Sequence, residues 1–245
     1  MPEDDRGSAL ITGARGIGAA VARALAADGW PVCVTYRTGA QEAEALRAEL
    51  VAAGVRAIVT HLDVTDAASV DRACSEAERE LGPIGALVAN AGVLASEIAA
   101  TQPIEDFAAV LETNVVGTQR CIQRVLMPMV RARRGRIVLI GSLAAQKAVP
   151  GQSAYGASKA ALEGLARSVA VEVARRGVTV NVVAPGLIDT ELIRAENTGV
   201  DPARIPMRRM GSPDDVAACV RFLVSEDAGY VTGSVLTVDG GLSFA

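Results

Sequence analysis

The sequence predicts an α/β fold, a single domain built on a parallel β-sheet with helices on both faces. Short apolar runs rich in β-branched residues alternate with longer Ala-rich segments at helical period, the pattern of consecutive βαβ units. The short runs are apolar almost without interruption, which suits strands covered on both sides. Half of the residues are hydrophobic but only 3% are aromatic, so small side chains carry most of the packing. A length of 245 residues suffices for one such domain with a substantial core.

In chain order, the first strand is expected at Ala9 to Thr12, and a glycine-rich turn delivers it into a helix at Ile17 to Ala27. Pro31 to Tyr36 forms the second strand, Gln41 to Ala53 the helix behind it, and Ala57 to His61 the third strand. A helix pattern at Ala67 to Leu81 leads to a fourth strand at Ala86 to Ala89, and one long helix pattern then runs from Ile104 to Arg133. A fifth strand at Arg136 to Ile140, a helix at Ser153 to Arg175 and a sixth strand at Thr179 to Ala184 follow. The last pair is a helix at Pro213 to Ser225 and a seventh strand at Ser234 to Val238. Right-handed crossovers place the helices on both faces of the sheet. The stretch Asp189 to Gly211 lacks regular pattern and carries charges, Asn197-Thr198-Gly199 and two prolines. It follows the carboxyl end of a strand, where ligands bind in open α/β sheets, and is expected to be a lid.

Several function classes are excluded by composition. A formal charge of -4 gives no broad attraction to a phosphate backbone, so nucleic acid is not an expected partner. No run reaches the roughly eighteen apolar residues of a membrane span. The acidic start Met1-Pro2-Glu3-Asp4-Asp5-Arg6 does not resemble a signal peptide, and a cytoplasmic location is expected. Cys33, Cys74, Cys121 and Cys219 are scattered, without the paired spacing of metal or redox motifs, and are expected to be buried thiols.

The first strand ends in Thr12-Gly13-Ala14-Arg15-Gly16-Ile17-Gly18, and the helix that follows at once can turn its backbone N–H groups toward a pyrophosphate. The spacing is G-x-x-G-x-G, not the usual dinucleotide fingerprint. About twenty residues beyond the loop, NAD enzymes normally carry an acidic residue for the ribose 2′-hydroxyl. Here the second strand finishes at Thr35-Tyr36-Arg37, and Arg15 can approach the same side. Two guanidiniums favour a 2′-phosphate that a carboxylate would repel. The cofactor predicted is therefore NADPH/NADP+.

After the fifth strand come Gly141-Ser142, then Tyr155-Gly156-Ala157-Ser158-Lys159 at the start of a helix. Positions four apart share a helix face, so Tyr155 and Lys159 can point to one site, with Ser142 on a neighbouring strand end. A free phenol has a pKa of about 10 and protonates a substrate poorly at neutral pH; a nearby ammonium is expected to lower it.

Taken in order, Thr12 to Gly18, Asp63-Val64, Asn90-Ala91-Gly92, Asn114, Gly141-Ser142, Tyr155 to Lys159, Pro185-Gly186 and Thr190 make the chain resemble the short-chain dehydrogenases/reductases. The likeness is strongest to the 3-oxoacyl-[acyl-carrier-protein] reductases of fatty acid and polyketide synthesis, and it covers almost the whole length. It implies a single-domain Rossmann fold over residues 1–245, with a seven-stranded parallel sheet in the order 3-2-1-4-5-6-7 and a substrate lid at about 189–211. It further implies that Tyr155 protonates the carbonyl oxygen and that Ser142 hydrogen-bonds it. Lys159 would bind the nicotinamide ribose, and Asn114 would hold a water linking Lys159 to solvent. Asp63 and the Val64 backbone would meet the adenine, and Asn90, Ala91 and Gly92 would support the ribose and glycine loop. Pro185, Gly186, Ile188 and Thr190 would lie at the carboxamide and phosphates. Lone His61 is not expected to act in catalysis, and no metal is expected because side chains already supply acid and oxyanion donor.

Substrate identity is open on the fold alone, since one scaffold takes thioesters, sugars, steroids and small ketones. Arg131, Arg133, Arg134, Arg136 and Arg175-Arg176 form basic clusters where an acidic acyl carrier protein could dock, principally through Arg133, Arg134 and Arg176, or they are ordinary helix-end charges. The lid mixes Leu192, Ile193, Ile205, Met207 and Met210 with Arg194, Arg204, Arg208 and Arg209, which suits an apolar chain on an anionic arm. The alternatives are an enzyme of free small alcohols, ketones or sugars, and a non-catalytic NADPH-binding sensor. A homotetramer is implied by the resemblance, and Ala161, Leu165, Val169 and Val173 form one helical stripe that could serve an interface.

Overall fold

A computed structural model describes residues 6–191 and 202–244. Its centre is a seven-stranded sheet in the order β3-β2-β1-β4-β5-β6-β7, parallel throughout. The strands are β1 Ser8–Ile11, β2 Val32–Tyr36, β3 Ala57–His61, β4 Ile84–Ala89, β5 Gly135–Ile140, β6 Val178–Pro185 and β7 Val235–Val238. The predicted order and the two-sided covering are both found. Successive side chains point to opposite faces: Ala9 and Ile11 enter one apolar core, Leu10 the other. Helices α1 (Ile17–Ala27) and α2 (Ala40–Ala52) cover the first face. Helix α3 (Ala67–Leu81) covers the second.

The predicted helix from Ile104 to Arg133 is interrupted. Helix α4 (Ile104–Leu111) passes into a π-helical turn at Glu112–Val116 before α5 (Gly117–Ala132) resumes. Apolar periodicity does not report a turn widened by one residue, whereas such turns are often found at functional sites. Helix α6 spans Ser153–Val173 and ends in a 3-10 turn at Ala174–Arg176. Helix α7, Pro213–Val224, returns to the first face. Its start is fixed by a capping box in which Ser212 accepts from the Asp215 N–H while the Asp215 carboxylate accepts from the Ser212 N–H, satisfying otherwise orphaned donors.

Of the stretch read as a lid, residues 192–201 lie outside the described residues, and with them Leu192, Ile193, Arg194 and Asn197-Thr198-Gly199. Its ends are stapled together: Asp189 N–H donates to Gly211 O at 2.8 Å, and Gly211 N–H to Leu187 O at 2.9 Å. Among the described residues no helix is long and apolar enough to cross a membrane. Cys33, Cys74 and Cys121 are buried free thiols and Cys219 is partly buried; burial raises all four thiol pKa values.

The connection into β7 hangs on one side chain. Asn181, buried in β6, donates from Nδ2 to Val231 O at 2.8 Å and accepts the Ser234 N–H at 3.1 Å. Asn181→Ala leaves both backbone groups short of a partner, and we expect a loss of about 1–3 kcal/mol in unfolding free energy by denaturant titration.

Candidate active site

The carboxyl ends of the strands share one groove. Ser142 stands two residues past β5 in extended backbone and caps the 3-10 turn Leu143–Ala145, its Oγ accepting the Ala144 N–H at 3.1 Å. Tyr155 lies in the first turn of α6, close enough for its hydroxyl and that of Ser142 to hydrogen-bond. Gly156 makes this approach possible: a Cβ there would stand 2.9 Å from Ala144 O. Lys159 is on the same helix face, its Nζ 5.5 Å from the Tyr155 ring centre. That ammonium donates to Ile140 O, the last carbonyl of β5, at 2.8 Å. An ammonium has three donors, and Lys159 lines the groove with the others.

Asn114 sits in the π-helical turn and is buried. Its Oδ1 accepts the Val93 N–H at 2.8 Å, and its Nδ2 donates to Val93 O at 2.9 Å and to Ser158 Oγ at 3.0 Å. The side chain therefore braces the loop after β4 against α6, and the Asn114 backbone carbonyl accepts the Thr118 hydroxyl at 2.8 Å. A Cβ on Gly92 would sit 3.2 Å from Asn114 Oδ1 and 3.5 Å from Lys159 Nζ, so glycine keeps this wall open.

Lysine does not acidify the phenol in the protein alone. Burial pushes the Tyr155 pKa above its ordinary value, opposed by the Ser142 hydrogen bond. Burial also brings Lys159 down to about 8. The reason is common to both: each group loses water around its charged form. The expected depression by Lys159 is corrected accordingly.

The glycine loop forms the other half of the groove. Gly13 and Gly16 hold φ of 94° and 53°, conformations that side chains rarely adopt, and a Cβ on Gly18 would meet Gly13 O at 2.0 Å. Thr12 Oγ1 accepts the N–H groups of Asn90 and Ala91 at 2.9 and 2.8 Å, and Asn90 Nδ2 donates to Thr12 O at 2.9 Å. Thr12, Gly18 and Asn90 thus fix the loop. A cleft of about 480 Å³ runs from Arg15, Arg37 and Thr38 past Gly13, Gly16 and Ile17 to Ala91, Gly92 and Thr190. It shares Ile17, Asn90, Gly92, Val93 and Thr190 with a second cleft of about 760 Å³ that holds Ser142, Tyr155, Lys159, Pro185, Gly186 and Ile188. Leu62 and Val64 line the first cleft. The Asp63 carboxylate instead accepts from Thr65 N–H and Oγ1 at 2.9 and 2.7 Å, which, with Arg37 nearby, holds its pKa low. This continuous, glycine-floored groove fits a nicotinamide dinucleotide, whose phosphates suit exposed backbone N–H groups.

Two expectations about the surface change. Arg133, Arg134 and Arg176 lie at the amino end of β5 and the carboxyl ends of α5 and α6, a strand length of about 20 Å from Ser142. Arg133 donates to Arg175 O at 3.3 Å, Arg134 pairs with Glu226 at 3.0 Å, and partly buried Arg136 donates to Ser225 O and Gly177 O at 3.3 Å each. Within one chain they do not greet a substrate at the groove. Of the α6 stripe, Val169 and Val173 are core and Leu165 packs against it, while Ala161 is exposed; the large exposed apolar side chain of that helix is Val171, at 82%. The sequence reading passed over Leu94, Lys147, Val149, Gln152 and Leu242, all of which line the second cleft.

These features are those of a nicotinamide-dependent oxidoreductase, and the comparisons agree. A family model described as enoyl-(acyl carrier protein) reductase matches residues 11–243, and the chain belongs to the short-chain dehydrogenase/reductase family. It is 42% identical over 240 residues to the 3-oxoacyl-[acyl-carrier-protein] reductase MabA of Mycobacterium tuberculosis, covering 96% of this chain and 92% of that one. Identity is 41% to a 3-oxoacyl-[acyl-carrier-protein] reductase of Synechocystis, covering 96% of each, and 37% to FabG of Staphylococcus aureus, covering 96% and 97%. Among solved structures, a putative gluconate dehydrogenase from Agrobacterium tumefaciens superposes with a TM-score of 0.93 at 28% identity, over 98% of this chain and 96% of that one.

The buried lysine has a thermodynamic signature. With its folded pKa near 8 against an ordinary 10.5, the unfolded chain binds more protons between those values, so stability contributed by Lys159 rises with pH across that window. Tyr155, shifted the other way, loses stability as pH rises past its ordinary value and is best removed by using Tyr155→Phe as background. The unfolding free energy of cofactor-free Tyr155→Phe minus that of Tyr155→Phe/Lys159→Met should increase from pH 8 to 10; a flat difference would refute the buried cation.

Proposed function

We propose that the protein uses NADPH to reduce a ketone to a secondary alcohol, and that the ketone is a 3-oxoacyl thioester carried by an acyl carrier protein. The observation that carries this reading is the convergence of Ser142, Tyr155 and Lys159 on one groove that continues into the glycine-loop cleft. Bound NADPH supplies the hydride. Tyr155 and Ser142 bind the carbonyl oxygen through their hydroxyls, and Tyr155 gives up its proton to that oxygen as charge develops. Lys159 holds the ribose hydroxyls and, charged when so engaged, favours the phenolate left behind. Asn114 keeps the loop after β4 against α6 and offers a backbone carbonyl to a proton-relay water. Thr12, Gly13, Arg15, Gly16, Ile17, Gly18, Arg37, Asp63, Val64, Asn90, Ala91, Gly92, Pro185, Gly186, Ile188 and Thr190 form or support the cofactor cleft. Arg15 and Arg37 flank the place of a 2′-phosphate.

The carrier-bound substrate is favoured by the relatives named as 3-oxoacyl-[acyl-carrier-protein] reductases. Helix α6 is about 31 Å long, with Tyr155 at one end and Arg176 at the other. A second copy packed antiparallel on α5 and α6, against exposed Val171, Met127 and Val116, would carry its Arg133 and Arg176 to the neighbour's groove. Docking and assembly into a homotetramer are then one arrangement. The working form is a cytoplasmic single domain with residues 189–211 as its lid. The structural match to a putative gluconate dehydrogenase favours a second reading, a free hydroxy or oxo sugar acid as substrate.

Steady-state NADPH oxidation with matched carrier-bound 3-oxoacyl thioesters, free ketones and sugar acids tests the assignment; exclusive turnover of a sugar acid would overturn the thioester. Tyr155→Phe should lower kcat by about 10²–10⁴-fold with NADPH affinity kept. For Arg37→Ala, the ratio of kcat/KM for NADPH over NADH should fall roughly tenfold or more; an equal ratio in the unaltered protein would discredit the arginine pair.

A further inference from the structure

The second cleft is lined by Leu242 of the C-terminal turn, 95 residues beyond Lys147 of the catalytic loop that it touches. The loop after Ser142 forms the 3-10 turn and is closed by Lys147, whose N–H donates to Leu143 O at 2.8 Å. The Lys147 Nζ then reaches across to donate to Leu242 O at 2.7 Å. Leu242 lines the cleft that holds Tyr155, and so does Lys147.

The turn carrying Leu242 is held from the other side as well. The Asp239 carboxylate accepts the N–H groups of Gly241 at 2.9 Å and Ser243 at 2.7 Å. Gly240 and Gly241 have φ of 62° and 88°; a Cβ on them would stand 2.9 Å from Ile205 and 3.1 Å from Pro206. Met207 N–H donates to Gly240 O at 3.1 Å. The returning end of the lid stretch thus rests on the C-terminal turn, and Lys147 bolts that turn to the catalytic loop.

We propose that Leu242 is a specificity-determining residue that limits the size of the group flanking the reacting carbonyl, and that Lys147 is a positioning residue acting through it. This rests on the ketone-reductase reading above. A carbonyl oxygen between Ser142 and Tyr155 leaves its larger substituent to run along the cleft against the Leu242 wall. One methylene more or less in an apolar pocket changes selectivity by roughly tenfold or more.

The test compares kcat/KM for acetoacetyl and 3-oxododecanoyl thioesters of N-acetylcysteamine, with NADPH and the full chain. Leu242→Ala should raise the long-to-short ratio roughly tenfold, and Leu242→Phe should lower it. Either substitution moving the ratio in its stated direction supports the wall, and ratios within twofold of the unaltered protein in both overturn it. Lys147→Met should blur the ratio through KM, and Lys147→Arg should restore it; an unchanged ratio in Lys147→Met overturns the bolt. Should the unaltered protein reduce no thioester, the thioester reading fails by itself. Acetone and 2-octanone then provide the small and large substrates, and the same two outcomes decide the role of Leu242.

Discussion

The hydrogen bond from the Lys159 ammonium to Ile140 O sets the register of the whole site. It ties the first turns of α6 to the last residue of β5, and the places of Ser142 and Tyr155 follow from those anchor points. Ser142 stands two residues beyond the carbonyl, and Tyr155 one helical turn before the lysine. Taking an ammonium out of water is unfavourable unless it finds acceptors, and the backbone carbonyl meets that requirement without neutralising the charge. A carboxylate partner in the same place would satisfy the lysine as well but would neutralise it. The close approach of α6 to the loop after β5, permitted at Gly156, and the open wall at Gly92 both serve this one contact.

Much of this was legible in the residues. The strand order, the glycine loop and the positions of Ser142, Tyr155 and Lys159 follow from local pattern and from motifs in order along the chain. The structure brings the three together as the spacing of four on a helix implies. Three things were hidden for physical reasons. Periodicity carried one helix through Glu112–Val116, because a widened turn changes phase without changing composition. The sign of the tyrosine shift depends on how much water surrounds the phenol, a property of the fold and not of the neighbouring lysine. The contact of Lys147 with Leu242 joins segments far apart in sequence, and only Asp239-Gly240-Gly241, a turn signal after the last strand, hinted at a shaped ending.

The two halves of the groove differ in how they are made. The dinucleotide cleft is assembled from β1, β2 and β4 and the turns that leave them, with glycine backbone as its floor and Thr12–Asn90 contacts as its bracing. The second cleft draws on the loops after β4, β5 and β6, on α6 and on the C-terminal turn. Glycine motifs legible in the chain therefore shape the floor of the first, whereas the walls of the second are set by loops that no local motif marks. That division explains why the reaction class is readable from sequence while the choice of ketone is not.

The π-helical turn also constrains what insertions and deletions this chain can accept. An α-helix advances about 100° and 1.5 Å per residue. Loss of a single amino acid between Glu112 and Val116 would remove the extra residue that widens the turn and let an ordinary α-helical turn take its place, with Cys121, Ile122, Val125 and Met129 still facing the core they fill. A further residue inserted there would instead turn α5 by about 100° and draw Arg124 away from Asp71 and Glu78 on α3. At this turn, then, a one-codon deletion is absorbed while a one-codon insertion refaces a whole helix, whereas in an exposed loop either event would leave the scaffold intact.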